Sequence, residues 1–326
     1  MTDIGLYCPA ADFYIDPRKK VDRAVITHAH SDHARKGSRQ YYCTTSGADL
    51  LKTRLGENIS LLTFDYKKEF HIGGVVVSFH PAGHILGSSQ VRLEANGEVW
   101  VVSGDYKRDY DPTCEPFESV NCDVFISEAT FGTPSYSWNK ELDFGLEIFQ
   151  WWKKNQEEGF NSILFAYSLG KAQRILGVLQ PFANKPIYCD PSTEQLNLCY
   201  RKQGINLAPT ICLNNLIEEN LFSGDLIVTP SSFLKTKHKF NLGKYRSAFA
   251  SGWMVRGTNQ YDASFIMSDH ADWHDLLLTI KQSGARRVFI QHRGSGALVR
   301  KLNTLGIKAS PVSSLFFKPS SQLMLF

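Results

Sequence analysis

No run of residues approaches the roughly 18 consecutive apolar positions that a membrane-spanning helix needs, so a transmembrane role is not expected. None of the seven cysteines (Cys8, Cys43, Cys114, Cys122, Cys189, Cys199, Cys212) forms a C-x-x-C pair. A disulfide framework and a cysteine-ligated zinc module are therefore both unexpected, and the thiols read as buried groups in a reducing compartment. The charge balance lacks a strong sign: 36 Lys and Arg against 32 Asp and Glu give +4. That surplus permits a polyanionic partner without demanding one. The start, MTDIGLYCPAADFYID, has no basic stretch leading into an apolar core, so the expectation is a cytoplasmic protein without a membrane partner. No fixed-period repeat or low-complexity tract is found either. What is present is ordinary globular composition, 43% hydrophobic and 21% charged over 326 residues, with ample material for a core.

Short apolar runs alternate with helical patterns, which predicts an α/β fold. The predicted strands are 75–79, 98–104, 122–127, 162–168, 225–231, 263–268 and 286–290. Helices are predicted at 46–55, 138–155, 170–180, 192–203, 272–283 and 295–305. Residues from about 140 to 250 read as βα units of their own. After them, ASFIMSDHADW and RRVFIQHRG return to the earlier pattern of strands ending in polar, histidine-bearing loops. An insertion into a parent domain accounts for this order: 1–139, then an inserted 140–250, then 251–326.

The densest chemistry is ITHAHSDHA, residues 26–34, which holds three histidines and an aspartate within six positions. On an extended backbone His28 and His30 point the same way, and Asp32 and His33 fall in the following turn. Neutral imidazole and carboxylate are ligands for a borderline cation such as zinc, and the turn residues can face a second ion. The competing reading is a polar helix start on a surface loop.

Further candidates stand at strand ends. His84 lies between glycines in HPAGHILG, where backbone can approach a ligand closely. Asp105 follows an apolar strand in VVSGDYK, where one carboxylate can bridge two cations. His270 in IMSDHADW and His292 in VFIQHRG each end a strand after the insertion. Asp16, in DFYIDPRKK, closes an early strand and can hold the histidine loop by hydrogen bonds.

The order Asp16, His28-x-His30-x-Asp32-His33, His84, Asp105 resembles the metallo-β-lactamase superfamily. Glu128 in ISEATFG, His270 in SDHAD, the final His292 and the intervening insertion resemble its nucleic-acid-processing β-CASP branch. Within that branch the chain is most similar to bacterial ligase-associated exonucleases, which also carry the label of mRNA 3′-end processing exonucleases. The resemblance implies an αββα sandwich with an inserted α/β β-CASP cap. It also implies two divalent ions: one held by His28, His30 and His84, the other by Asp32, His33 and His292, with Asp105 bridging. Zinc is expected, since diiron relatives carry glutamate where this chain has His30, and manganese is a workable substitute. Asp32, His270 and Glu128 carry catalytic roles in this scheme, His270 protonating the leaving oxygen and Glu128 orienting it. One departure is Arg293 after His292, where the family has glycine followed by an acidic residue.

The implied activity is a metal-dependent phosphodiesterase, a DNA exonuclease in repair, with a DNA ligase or helicase of the same pathway as partner. The alternative is an RNase of the mRNA-processing kind. A catalytically inactive scaffold is the reading from another class. Two stretches are candidate substrate contacts: Ser168, Lys171 and Arg174 at a strand-to-helix turn that favours anions, and Lys235, Lys237 and Lys239 in an aromatic-interleaved basic run.

Overall fold

The computed structural model describes residues 1–215, 223–235, 242–257, 260–291 and 296–316. Contacts divide the chain into two units. The first comprises Met1–Tyr110, Cys114–Ser137 and the segment from His270 onward. The second comprises Asp111–Thr113 and Trp138–Asp269.

The first unit holds two sheets. Strands β1 (Leu6–Cys8), β2 (Phe13–Ile15), β3 (Arg23–Val25), β4 (Gln40–Thr44) and β5 (Leu61–Phe64) form one sheet in chain order, parallel from β2 onward. The other contains β6 (Phe70–Ile72), β7 (Val75–Pro81), β8 (Ser89–Ala95), β9 (Glu98–Val102) and β10 (Val124–Ser127), with β17 (Arg287–Ile290) and β18 (Lys308–Pro311) from the returning segment. Strands β6 to β9 run as an antiparallel meander, whereas β9, β10, β17 and β18 are mutually parallel along the order β9-β10-β17-β18.

Alternation along the strands decides which face meets what, because successive side chains point to opposite sides of a sheet. Val102, Val124 and Ile126 face a core shared with Phe13, Ile15 and Val25 of the first sheet. Their neighbours Val101 and Phe125 face the other way, into a second core. There they meet Leu276 and Ile280 of α5 (Trp273–Gln282) and Leu298 and Leu302 of α6 (Gly296–Thr304). A further helix, α1 (Ala48–Leu55), buries Leu50, Leu51 and Leu55. Sheet therefore packs on sheet, with helices on the outer face of the larger one.

The second unit is a six-stranded, wholly parallel sheet. Its strands are β11 (Asn161–Phe165), β12 (Ile187–Cys189), β13 (Thr210–Cys212), β14 (Leu226–Thr229), β15 (Tyr245–Ala250) and β16 (Ala263–Phe265), in the order β13-β12-β14-β11-β15-β16. The central strands β11 and β14 are buried at every position, as expected where helices flank both faces of a parallel sheet. Helices α2 (Phe144–Glu157) and α4 (Pro191–Lys202) begin at Asp143 and Asp190, whose carboxylates accept from Leu146 N and Ser192 N. Helix α3 (Lys171–Leu179) begins at Gly170, with φ 85°.

The unit boundary after Ser137 falls close to the expected 139/140 division. The later one lies at Asp269/His270, not near 250. The cause is β16: ASF pairs with β15 through Ala248–Ala263 and Ala250–Phe265 and so closes the inserted sheet, instead of opening the returning segment.

Phe79 is fully buried in the core between the two sheets of the first unit. Phe79→Ala should cost about 3–5 kcal/mol of stability, read from urea unfolding followed by tryptophan fluorescence. A loss below about 1 kcal/mol would contradict the placement.

Candidate metal centre

The strand ends of the first unit deliver the acidic and histidine side chains. Asp16 follows β2, His28 and His30 follow β3, and His84 follows β7. Asp105 and Glu128 follow the parallel neighbours β9 and β10, so both stand at the same edge of the larger sheet. Two glycines allow the close approaches. Gly104 has φ 56°, and a Cβ there would lie 2.7 Å from Thr27 Cβ. Gly83, with φ 71°, would set a Cβ 2.3 Å from the Lys107 carbonyl oxygen. Without them Asp105 and His84 could not reach the histidine loop.

His28 Nε2 and His84 Nε2 lie 3.1 and 3.0 Å from His30 Nδ1. Asp105 Oδ2 lies 3.6 Å from His28 Nε2 and 3.9 Å from His84 Nε2. Ligand atoms of these four residues all fall within 4.8 Å of one another. A tetrahedral ion with bonds of about 2.0–2.2 Å needs donors about 3.3–3.6 Å apart, so the cluster has the right size. The same Asp105 oxygen is 3.4 Å from His33 Nε2, which in turn is 3.7 Å from Asp32 Oδ2. Asp105 thus touches two donor groups with one oxygen. Its other oxygen, Oδ1, is buried with no hydrogen-bond partner among the described residues, a costly state for a carboxylate unless a cation accompanies it.

Behind these atoms a second layer sets their orientation. Asp16 adopts φ 46°, a left-handed backbone that aspartate tolerates better than most residues. Its carboxylate accepts from Thr27 N at 2.8 Å and Thr27 Oγ1 at 2.6 Å, and lies 2.7 Å from His33 Nδ1. Thr27 Oγ1 also lies 3.1 Å from His28 Nδ1. With both Nδ1 atoms so engaged, the Nε2 atoms of His28 and His33 are the ones turned to Asp105. The backbone N–H of His84 donates to Ser88 Oγ at 3.0 Å, which pins that turn. Thr27 and Ser88 were not among the residues expected from sequence. Their only signal is proximity to a ligand-type motif.

Electrostatics follow from the packing. Burial, with the like charges of His33 and His84, holds the His28 imidazole well below its ordinary pKa. Neutral imidazole is the metal-binding form. Burial also opposes charge on His33, but the carboxylates of Asp105 and Asp16 outweigh it and hold that imidazole well above the usual range. Burial would raise Asp105, yet His33, His270 and His28 keep it well below the ordinary carboxylate value.

Glu128 is fully buried and lies 3.1 Å through each oxygen from His270 Nδ1. Tyr106 N donates to Glu128 Oε1 at 2.7 Å, and Glu128 N donates to Ser103 Oγ at 3.1 Å. The His270 ring stands 4.7 Å from that of His84. The structure therefore gathers Asp16, His28, His30, Asp32, His33, His84, Asp105, Glu128 and His270. His292 lies outside the described residues; Gln291 before it donates to Ser127 O at 2.8 Å, alongside the strand that leads to Glu128.

The expected phosphate contacts fare differently. Lys171 and Arg174 are buried and engaged within the second unit. Lys171 Nζ donates to Met267 O and pairs with Asp269 at 2.7 Å. Arg174 Nη1 donates to Ser268 O, and the guanidinium lies 3.6 Å from Asp111 and 3.7 Å from Asp269. Helix α3 turns this face inward, so the two cations stabilise the unit and are not available at its surface. Ser168 remains half-buried, its Oγ 3.2 Å from Ser192 Oγ. Lys235 is exposed at the end of a 3₁₀ turn, Ser231–Lys235; Lys237 and Lys239 lie outside the described residues.

A buried histidine–aspartate cluster at the edge of a β-sandwich, beside a carboxylate–imidazole pair, is a donor set compatible with metal binding. No protein-family model matches the chain. It is 28% identical over 313 residues, 94% of its length, to a probable DNA ligase of Opitutus terrae, of which it covers 30%. It is 26% identical over 235 residues, 62% of its length, to an RNase J-like protein of Methanocaldococcus jannaschii, of which it covers 55%. A crystal structure of a protein of unknown function from Enterococcus faecalis V583 superposes with a TM-score of 0.58 over 91% of this chain and 79% of that one; at 12% identity this speaks for the fold alone. These relatives fit the resemblance to the β-CASP branch of the metallo-β-lactamase superfamily. The chain spans about a third to a half of the length of these curated relatives.

Asp16 lies 2.7 Å from His33 Nδ1 and is not among the four residues whose donor atoms cluster. Asp16→Ala should leave the far-ultraviolet circular dichroism intact and weaken divalent-ion binding about 10–100-fold, read by competition with a chromophoric chelator. Unchanged affinity would remove Asp16 from the site.

Proposed function

We propose that the protein is a metal-dependent phosphodiesterase that hydrolyses nucleic acid, acting as an exonuclease on DNA ends. The observation that carries this reading is Asp105, one oxygen shared between two imidazole-rich donor groups and the other buried without a hydrogen-bond partner among the described residues. In this reading His28, His30 and His84 would hold one divalent ion and Asp32, His33 and His292 a second, with Asp105 available to both. Zinc suits the donor set, and manganese is compatible with it. When bound, such a pair supplies an activated water and positive charge for the phosphoryl oxygens as negative charge develops.

The chain's own residues then divide the remaining tasks. Asp16 and Thr27 keep the imidazoles of His33 and His28 turned to Asp105. His270 donates a proton to the departing sugar oxygen. With Nδ1 engaged by Glu128, proton transfer falls to Nε2. The Glu128 carboxylate stabilises the imidazolium before transfer and fixes the ring. An inactive scaffold would have no use for a buried acid–histidine pair set beside the gathered donors His28, His30, His84 and Asp105.

DNA is favoured because the match along 94% of this chain falls within a protein described as a probable DNA ligase. A nuclease acting with a DNA ligase would prepare the ends that the ligase joins. RNA is the second reading, supported by the RNase J-like relative.

Single-stranded DNA and RNA of one sequence, labelled at either end and incubated with zinc or manganese, test both readings; inertness toward both strands would sink them together. Asp32→Ala combined with His33→Ala should abolish cleavage while the thermal unfolding midpoint stays within a few degrees. His270→Ala should lower kcat about 10²–10³-fold and leave metal content near wild type. Loss of metal from that variant would make His270 a ligand instead.

A further inference from the structure

Two short basic runs follow site residues in the sequence: Arg18-Lys19-Lys20 begins two positions after Asp16, and Arg35-Lys36 two positions after His33. The fold brings them together with Arg54 of α1 around a cavity of about 510 Å³ in the first unit. That volume is typical of ligand sites, which run roughly 300–1,000 Å³. Six cations line it and no carboxylate does. Only Lys19 has an ion-pair partner among the described residues, Asp3 at 2.6 Å. Like charges concentrated this way repel one another, and a solvated surface would intersperse carboxylates.

Three details show a built site. Arg54 is half-buried, and its Nε is shielded from solvent with no hydrogen-bond partner among the described residues. Burial disfavours its charge, with Asp32 acting in the opposite sense. Lys20 lies along Gly37, whose φ is 103°; a Cβ there would fall 2.7 Å from Lys20 Cε, so the bare backbone seats the lysine stem. Arg18 and Arg35, finally, also line a neighbouring cavity of about 570 Å³ together with Asp16, Asp32 and His33. The two cavities share those arginines in their linings, and the second is lined also by the candidate-site residues Asp32 and His33.

Resting on the nuclease reading above, we infer that the Arg18–Lys20, Arg35–Lys36 and Arg54 cavity grips backbone phosphates of the nucleic-acid strand beyond the scissile bond. Arg18 and Arg35 carry the strand between the cavity and the site. Phosphodiester groups fit better than carboxylates because arginine forks pair with two phosphate oxygens at once. The contacts are to backbone, so the grip is indifferent to sequence.

The test uses the metal-loaded full chain and a fluorescein-labelled, cleavage-resistant phosphorothioate 12-mer, with anisotropy measured between 50 and 300 mM salt. R18Q, K20Q and K36Q combined should weaken binding at least about ten-fold at 100 mM salt. The slope of log affinity against log salt should become shallower by about 2, at about 0.7 per phosphate for single strands. Circular dichroism and metal content report folding, and each single variant should give a proportionate fraction of the slope change even if the triple variant unfolds. Cleavage by wild type with an unaltered slope in the single and triple variants overturns this inference alone. Wild type that neither binds nor cleaves any strand overturns it together with the nuclease reading. Displacement of the 12-mer by polyglutamate of equal charge, as effective as by unlabelled oligonucleotide, overturns the phosphate assignment in favour of an acidic protein partner.

Discussion

A carboxylate with one buried oxygen that has no hydrogen-bond partner among the described residues, surrounded by imidazoles, is the constraint around which the first unit is organised. Asp105 sits among His28, His33 and His84 at 3.4–3.9 Å. Such a group is unfavourable in an apolar interior without compensating charge. Asp105 and Asp16 hold the His33 imidazole well above its usual pKa against the effect of burial, while burial holds His28 well below its own. Divalent cations would satisfy the same atoms more completely, with every imidazole neutral.

Its position costs the fold several local irregularities. Asp16 takes a left-handed backbone, Gly104 must lie against Thr27, and Gly83 against Lys107. Strain of this kind persists only where surrounding structure over-determines it. Here the surroundings are two sheets packed through Phe13, Val25, Phe79 and Ile126, with α5 and α6 on the far side of the larger sheet. Parallel neighbours β9, β10 and β17 bring their ends to one edge, which is why Asp105 and Glu128 become adjacent although distant in sequence.

Charge is distributed unevenly between buried and open cations. Lys171 and Arg174 looked suited to phosphate because they open a helix after a strand, yet helix α3 faces them inward to Asp269 and Asp111. A group of six cations lines a cavity in the first unit, beside the loops that carry Asp16 and His33. A basic residue at a helix start is thus ambiguous until burial is known. A carboxylate within reach turns a phosphate ligand into a structural ion pair.

Much of the candidate centre was legible in one dimension, because H-x-H-x-D-H places its donors by local backbone geometry alone, and because apolar runs ending in Asp105, Glu128 and His270 mark strand ends. Long-range chemistry was not. Thr27 and Ser88 act through contacts with residues that carry no pattern of their own, and the basic cavity forms only when segments 18–20, 35–36 and 54 meet. The three-residue strands β1, β2 and β3 were too short to show a period, and β16 could be assigned to the inserted sheet only once its partner β15 was known. By itself the sequence determined the donor types, their order and the α/β layering, since these follow from spacing and hydrophobic alternation. Tertiary structure alone decided which donors share Asp105, which cations are buried and where the insertion ends, because each depends on the meeting of chain segments far apart in sequence.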